Sequence, residues 1–449
     1  MTQFLKSFKW LLLGYALFGR PFAYIGVPPL FIGEVFLAWG IIRAPIGRAI
    51  GRLFALPTFT LLFCFMFYCG ALTLVGATHF KLIDTLRDGA IWGYAIFAVI
   101  IAAYALITPN VLVQSLEAYR RFAFFYVFAA PVVALLGGYL SGRLPTMPGT
   151  QVPILITKYS DVQVHLAGIV AFVYLGFRRL ISIHLVAIVL GVIAMGALNR
   201  GGFLAFFLAV SLLMILKPRF KFIMSTLGVM IVVMSIFTFL DFDLQLFGRS
   251  ISTAQVGQNI LSIVGLSSSS HSIDLQDTRQ WRLNWWNEII DYTFHGNYFW
   301  TGKGFGINLA EDDGIVDVLT EPGEPLRSPH NSHLTFLARG GVPLFFFWLI
   351  LQLSWGMGML RTIFRARARG DLFWEKVSIF LLTYWVAMIV NMNFDVYLEG
   401  PMGGIWFWTI WGYGLAVMWL YRYRPQSLAV FAPVGTVPPP PNLTPQPAE

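Results

Sequence analysis

The sequence predicts an all-α polytopic membrane protein of about 12 transmembrane helices, with one large extracytoplasmic segment between the ninth and tenth spans. Three observations carry that prediction. Of 449 residues, 57% are hydrophobic and only 12% charged, against about 25% charged in an ordinary soluble domain; mean hydropathy is +0.69. Apolar runs of about 17 to 25 residues recur along nearly the whole length, each able to cross a hydrocarbon core of ~30 Å as a helix. Basic residues gather in alternate short loops, as the positive-inside rule requires. The net charge of +9 therefore belongs to membrane orientation, and no nucleic-acid partner is implied.

Taken in order, candidate spans fall at 8–20, 22–42, 53–77, 90–107, 122–140, 163–177, 180–198, 201–216, 220–240, 333–360, 373–393 and 402–421. The first run leads at once into further spans and lacks a small-residue cleavage site, so it serves as an uncleaved targeting signal. The first two spans divide near Gly19 to Pro21. Cys64 and Cys69 share one apolar run on different helix faces and read as packing residues, without a disulfide or metal framework. Phe-rich spans either line a lipid-chain groove or simply pack.

An N-terminus in the cytoplasm places Arg43, Arg48 and Arg52, then Arg120 and Arg121, then Arg178 and Arg179, all on the cytoplasmic side. Lys217, Arg219 and Lys221, then Arg361, Arg365, Arg367 and Arg369, and finally Arg422 and Arg424, fall there too. The opposite side receives 78–89, 141–162, the turn at Asn199 and Arg200, 241–332 and 394–401. The chain thus divides into spans one to nine (1–240), an extracytoplasmic catalytic segment (241–332), spans ten to twelve (333–424) and a Pro-rich cytoplasmic tail (425–449) with no apolar period, expected to be disordered.

The stretch 277–341 concentrates reactive side chains: Arg279, Arg282, His295, Lys303, Glu311, Asp312, Asp313, Arg327, His330 and His333. Flanked by spans, it has to lie outside the bilayer or in a protected cavity, because unsatisfied backbone in lipid is costly. The serine-rich run at 262–272 reads as a loop or short interfacial helix. After it, Trp281, Trp285, Ile289 and Tyr292 recur with helical spacing, an amphipathic helix whose aromatic face suits a membrane surface. GKGFG at 302–306 is turn chemistry without the spacing of a nucleotide phosphate loop, although its N–H groups can turn toward a phosphate. Pro329 biases Ser328 to extended geometry and sets His330 where loop becomes helix.

Each reactive residue has a functional and a plainer reading. Arg200, followed by two glycines, is either a boundary arginine reaching for headgroups or a bidentate anion partner. Arg282 is the stronger of the next pair, since Arg279 can instead face solvent or Asp277. His330 and His333 lack a convincing third metal ligand; a neutral imidazole at His330 can take a proton from a hydroxyl, or the histidine can cap the helix start. The acids Glu311, Asp312 and Asp313 form either a divalent-ion site or a solvated loop.

Four motifs together carry a resemblance: NRGG at 199–202, RLNWW at 282–286, GKGFG, and PHNSHLTFLARGGVP at 329–343. They resemble the bacterial O-antigen ligase and polymerase superfamily, whose pattern is His-Asn, nine residues, Gly, two residues, Gly. His330, Asn331 and Gly341 match, and Leu344 stands where the family has its last glycine. The resemblance covers roughly 190–345. It implies a multi-pass protein of the bacterial inner membrane, with both termini cytoplasmic. It further implies inverting glycosyl transfer at the periplasmic face, from an undecaprenyl-diphosphate-linked glycan to lipid A-core oligosaccharide, with no metal or other cofactor. His330 then resembles the acceptor-activating base, and Arg200 and Arg282 the diphosphate-binding arginines. Arg279, Asn331, His333 and Lys303 are expected near substrate, and Arg143, Lys158 and Arg327 are cations able to meet a phosphorylated acceptor core. Alternatives are a polymerase or protein-glycosylating relative, or a lipid-linked glycan flippase, which would need ionisable residues inside its spans, where Glu34 is the main one.

Overall fold

The computed structural model describes residues 2–27, 30–140, 142–179, 182–239, 244–246, 249–251, 273–315, 319–321 and 324–431. The serine-rich run at 262–272 and most of the tail expected to be disordered, from 432 onward, lie outside them, whereas the start of that tail, Pro425–Phe431, is helical, its first carbonyl held by the Trp374 indole at 3.0 Å. The helices are α1 (Gln3–Phe18), α2 (Arg20–Ala23), α3 (Ile32–Arg43), α4 (Ile46–Phe54), α5 (Pro57–His79), α6 (Leu82–Gly93), α7 (Ile96–Ile107), α8 (Asn110–Leu140) and α9 (Tyr159–Tyr174). There follow α10 (Ser182–Leu198), α11 (Arg200–Leu216), α12 (Phe220–Phe239), α13 (Ile273–Ile290), α14 (Leu309–Asp312), α15 (Ser332–Arg369), α16 (Leu372–Asn391) and α17 (Pro401–Tyr423). A π-helical turn at Asp291–His295, a 3₁₀ helix at Pro425–Phe431 and three short two-stranded hairpins are also present among the described residues.

Five stretches are long and apolar enough to cross a membrane: α5, α6 with α7, α8, α15 and α16. In α5 the buried side is Phe59, Leu62, Phe65, Cys69, Thr73 and Gly76, while Phe67 and Leu74 point outward at more than 70% exposure. An apolar outer face is what lipid demands of a spanning helix. The other seven expected spans correspond to shorter or less apolar helices. The largest departure is at 22–42, where Gly26–Val27 pairs with Leu30–Phe31 and the helix runs only over Ile32–Arg43. Pro28 and Pro29 explain it, since neither can donate a helical hydrogen bond.

Helix ends gather into two poles. At one, Lys217 and Arg367 both bind Glu375, at 2.8 and 2.9 Å, tying α11, α15 and α16 together. At the other lie the first turns of α9, α11, α15 and α17 and the last turn of α16: Lys158 just before α9 binds Asp395 between α16 and α17 at 2.6 Å. Between the poles α17 lies against α7, and α16 against α9 and α11. Small residues permit the approach, since a Cβ at Gly412 would stand 2.5 Å from the carbonyl oxygen of Ala98.

The longest helix, α15, breaks at Gly341, whose φ of 69° lies in the left-handed region. Pro343 has no N–H, and the N–H of Val342 turns away to Phe299 O at 2.8 Å. The carbonyls of Ala338 and Arg339 therefore lose their helical donors. The GKGFG turn supplies replacements: Lys303 N reaches Ala338 O at 2.7 Å and Gly304 N reaches Arg339 O at 3.0 Å. Leu344 is fully buried and covers Gly340, where a Cβ would meet its side chain at 2.2 Å. The residue that replaces the family glycine thus packs inside the kink.

At Gly302 φ is 59° and a Cβ would lie 2.4 Å from the backbone carbon of Arg339. Gly302→Ala should therefore destabilise the purified protein by about 1–3 kcal/mol. Gly47→Ala, where a Cβ meets nothing within 4 Å, is the matched control; equal melting temperatures of the two variants in detergent would contradict the docking of this turn.

Candidate active site

The turn 327–331 is fixed residue by residue. His330 has φ 53°, the only positive value at a non-glycine among the described residues, a conformation costing of order 1–3 kcal/mol that persists only where neighbours over-determine it. Those neighbours are present. The indole N–H of Trp286 donates to Pro329 O at 2.8 Å, and the Asn331 side chain caps α15 by accepting from the N–H groups of His333 and Leu334 at 3.0 and 3.2 Å. Ser332 donates to Asp395 O at 3.4 Å and its own N–H to Met392 O at 2.9 Å. Asn331, expected near substrate, is thereby engaged as the helix cap.

Segments distant in sequence, carrying Arg282, Lys158 and the start of α11 beside Arg200, meet at Phe394 and Asp395. Arg282 donates from Nη1 to Phe394 O at 3.3 Å. Gly201, next to Arg200 at the start of α11, lies so close that a Cβ would stand 2.8 Å from that of Phe394; the α11 cap Asn199 accepts from Gly202 N at 2.8 Å. Lys158 binds Asp395 Oδ1 at 2.6 Å and Ser160 donates to its Oδ2 at 3.4 Å. The Trp281 ring lies 5.4 Å from the Arg282 guanidinium carbon and 6.3 Å, edge to face, from the His330 ring.

The charges fall as this packing requires. Burial lowers the half-buried His330 imidazole to about 3; Asp395 opposes the shift, while Arg282 and Lys158 add to it. The ring is therefore neutral at pH 7. Burial would raise Asp395, but the Lys158 ammonium and His330 outweigh it and hold the carboxylate below its ordinary value. Asp395 had no motif to announce it; its signal in the sequence was only an acid in the short loop 394–401 between two apolar runs.

Other predicted residues are engaged elsewhere. Lys303 lies between Asp312, at 2.5 Å, and Asp313, with the Tyr292 ring 4.4 Å away. Burial opposes its charge, but the two carboxylates prevail and raise its pKa. Asp313 also accepts from the Trp285 indole at 2.5 Å, so two acids of the EDD run hold a lysine. Arg327 binds Asp88 at 2.9 Å. His333 accepts at Nδ1 from the Trp348 indole at 2.9 Å, which leaves its Nε2–H to donate to Ile389 O at 3.2 Å. Arg143 is exposed on the loop after α8, its guanidinium 6.0 Å from the Tyr139 ring. Arg279 lies on α13 one turn before Arg282, its side chain outside those described. The aromatic face of α13 packs on protein rather than on a membrane surface: Trp285 and Ile289 are fully buried against Leu309, Leu337 and Val342.

Residues 185–349 match the family model for O-Antigen ligase. No curated protein matches the chain. The matched region contains Arg200, Arg282, His330, the GKGFG turn and the Gly341 kink, whereas Lys158, Asp88 and Asp395 lie outside it. The superfamily resemblance read from the motifs and the matched region therefore coincide, and multi-pass membrane helices surround them.

His330 provides a test of the electrostatics. Its folded pKa is below the ordinary 6.5, so the folded state binds fewer protons, and the stability it contributes is present above about 6.5 and lost as pH falls toward 3. The melting temperature of His330→Gln should therefore drop less than that of the native protein between pH 7 and pH 5. An equal drop would mean the imidazole is not held neutral.

Proposed function

We propose that the protein is an O-antigen ligase that transfers a glycan from an undecaprenyl diphosphate to lipid A-core oligosaccharide, at the periplasmic face of a bacterial inner membrane. The observation that carries this reading is the meeting of Arg282, Lys158 and the start of α11 at residues 394–395, beside the turn that presents His330. The ion cluster of Lys217, Arg367 and Glu375 at the far pole supports the orientation, since basic loops remain cytoplasmic.

The reaction needs three things of the site. A hydroxyl of the acceptor must lose a proton as it attacks the anomeric carbon, and His330, unprotonated and turned into the site by its positive φ, is the acceptor of that proton. The diphosphate leaves with growing negative charge, which Arg282 and Arg200 stabilise through fixed guanidinium groups. An anion bound beside His330 raises the imidazole pKa, so donor binding strengthens the base. Lys158 lies within reach of the same charge while paired with Asp395. Attack from the face opposite the leaving diphosphate inverts the anomeric centre.

The test is transfer of a lipid-diphosphate glycan to purified lipid A-core by reconstituted protein, with a metal chelator present. His330→Ala should lower kcat by about 10²–10⁴-fold, and Arg282→Ala by about 10²–10³-fold, with inverted linkage in the product by NMR. Full activity of His330→Ala would remove the imidazole from the mechanism, and loss of native activity in chelator would demand a metal. Extension of a second lipid-linked glycan in place of lipid A-core would make the protein a polymerase.

A further inference from the structure

Outside the cationic convergence lies a second charged cluster, built around Asp88 on α6 and buried at 7% exposure. Its carboxylate accepts from Arg327 Nε at 2.9 Å and Nη2 at 3.2 Å, pairs with Arg339 Nη1 at 2.7 Å and accepts from Gly306 N at 2.8 Å. Each partner belongs to a different part of the site's frame. Arg327 opens the turn that presents His330; Arg339 lies at the kink of α15, where it also donates to Gly304 O and Ile307 O at 3.2 Å each; Gly306 closes the GKGFG turn. Beside them Glu399 accepts from Thr335 at 2.8 Å and from Ser328, holding the residue after Arg327.

We infer that Asp88 is a positioning residue for His330: one carboxylate on α6 locks the His330 turn to the kinked helix and so maintains the strained backbone that aims the imidazole. The strain supplies the reason. A histidine at φ 53° relaxes to an ordinary conformation once its flanking residues are released, and Arg327, three residues away, is held by Asp88 at two points. Asp84 adds a longer contact to Arg327 at 3.5 Å. A two-pronged guanidinium–carboxylate pair fixes orientation as well as distance, which a single hydrogen bond does not. The inference rests on the catalytic role proposed for His330, yet its geometric content can be read without turnover.

The test uses full-length protein in nanodiscs and two readouts. Asp88→Asn should lower kcat for glycan transfer about ten- to hundred-fold while the donor KM stays within about twofold, because Arg200 and Arg282 are untouched. The rate of His330 modification by diethyl pyrocarbonate, followed by peptide mass spectrometry, should rise several-fold relative to exposed His79 and His295. A released imidazole would also leave the environment set by Trp281, Arg282, Lys158 and Asp395, so the variant should gain an acidic limb in kcat/KM near pH 6.5 that the native protein lacks. If Asp88→Asn does not fold, Arg327→Lys, which keeps the charge and loses the two-pronged contact, should change both readouts in the same direction. A folded variant of either kind with native labelling of His330 and native kcat overturns the inference. Should the native protein transfer no glycan, the function proposed above fails, and the labelling rates alone decide the positioning role.

Discussion

The interrupted helix α15 is the constraint from which the rest of the architecture follows. A break in an apolar helix exposes carbonyls that apolar surroundings cannot satisfy, and Gly341 with Pro343 exposes two. The polar segment repairs them by laying its GKGFG turn into the gap, at 2.7 and 3.0 Å. That repair pins the segment to the bundle at one point. The aromatic face of α13 then packs onto α14 and the first turns of α15, and Arg282 is carried to Phe394. The first turn of α15, beginning two residues after His330, is tied in turn to the end of α16, where Ser332 N–H donates to Met392 O at 2.9 Å.

Electrostatics at that pole rest on a division of labour between two buried carboxylates. Asp395 balances Lys158 and faces His330, while Asp88 gathers Arg327, Arg339 and a backbone N–H. Removing either partner of a buried pair leaves an uncompensated charge, which is strongly destabilising. Neither Lys158 nor the Arg327 and Arg339 pair could therefore be buried without its acid, and both acids lie outside the region matching O-antigen ligase. The surrounding helices are part of the site rather than a mere anchor for it.

Several sequence expectations changed meaning once partners were visible. Lys303 and the EDD run read separately as a substrate cation and a metal or loop acid; they are partners in one internal ion pair. His333, three residues from His330, shares its helix face with packing residues and is locked between Trp348 and Ile389. The aromatic stripe of α13 had helical spacing, which a membrane surface and a protein core reward equally. Only the packing partner distinguishes them.

The sequence by itself determined that this is a multi-pass helical membrane protein, because hydropathy over 20 residues and loop charge act locally and need no tertiary information. It also singled out Arg200, Arg282 and His330 as candidates, because residue type next to Gly, Trp or Pro is a local signal. Which carboxylates complete the site was decided by the fold alone. Asp88 lies 239 positions from Arg327 and Asp395 lies 237 from Lys158, and pairing across such separations leaves no periodicity for a sequence to display. The same holds for α15: Gly341 and Pro343 announce a break, but only the folded chain shows that a turn some 40 residues earlier fills it.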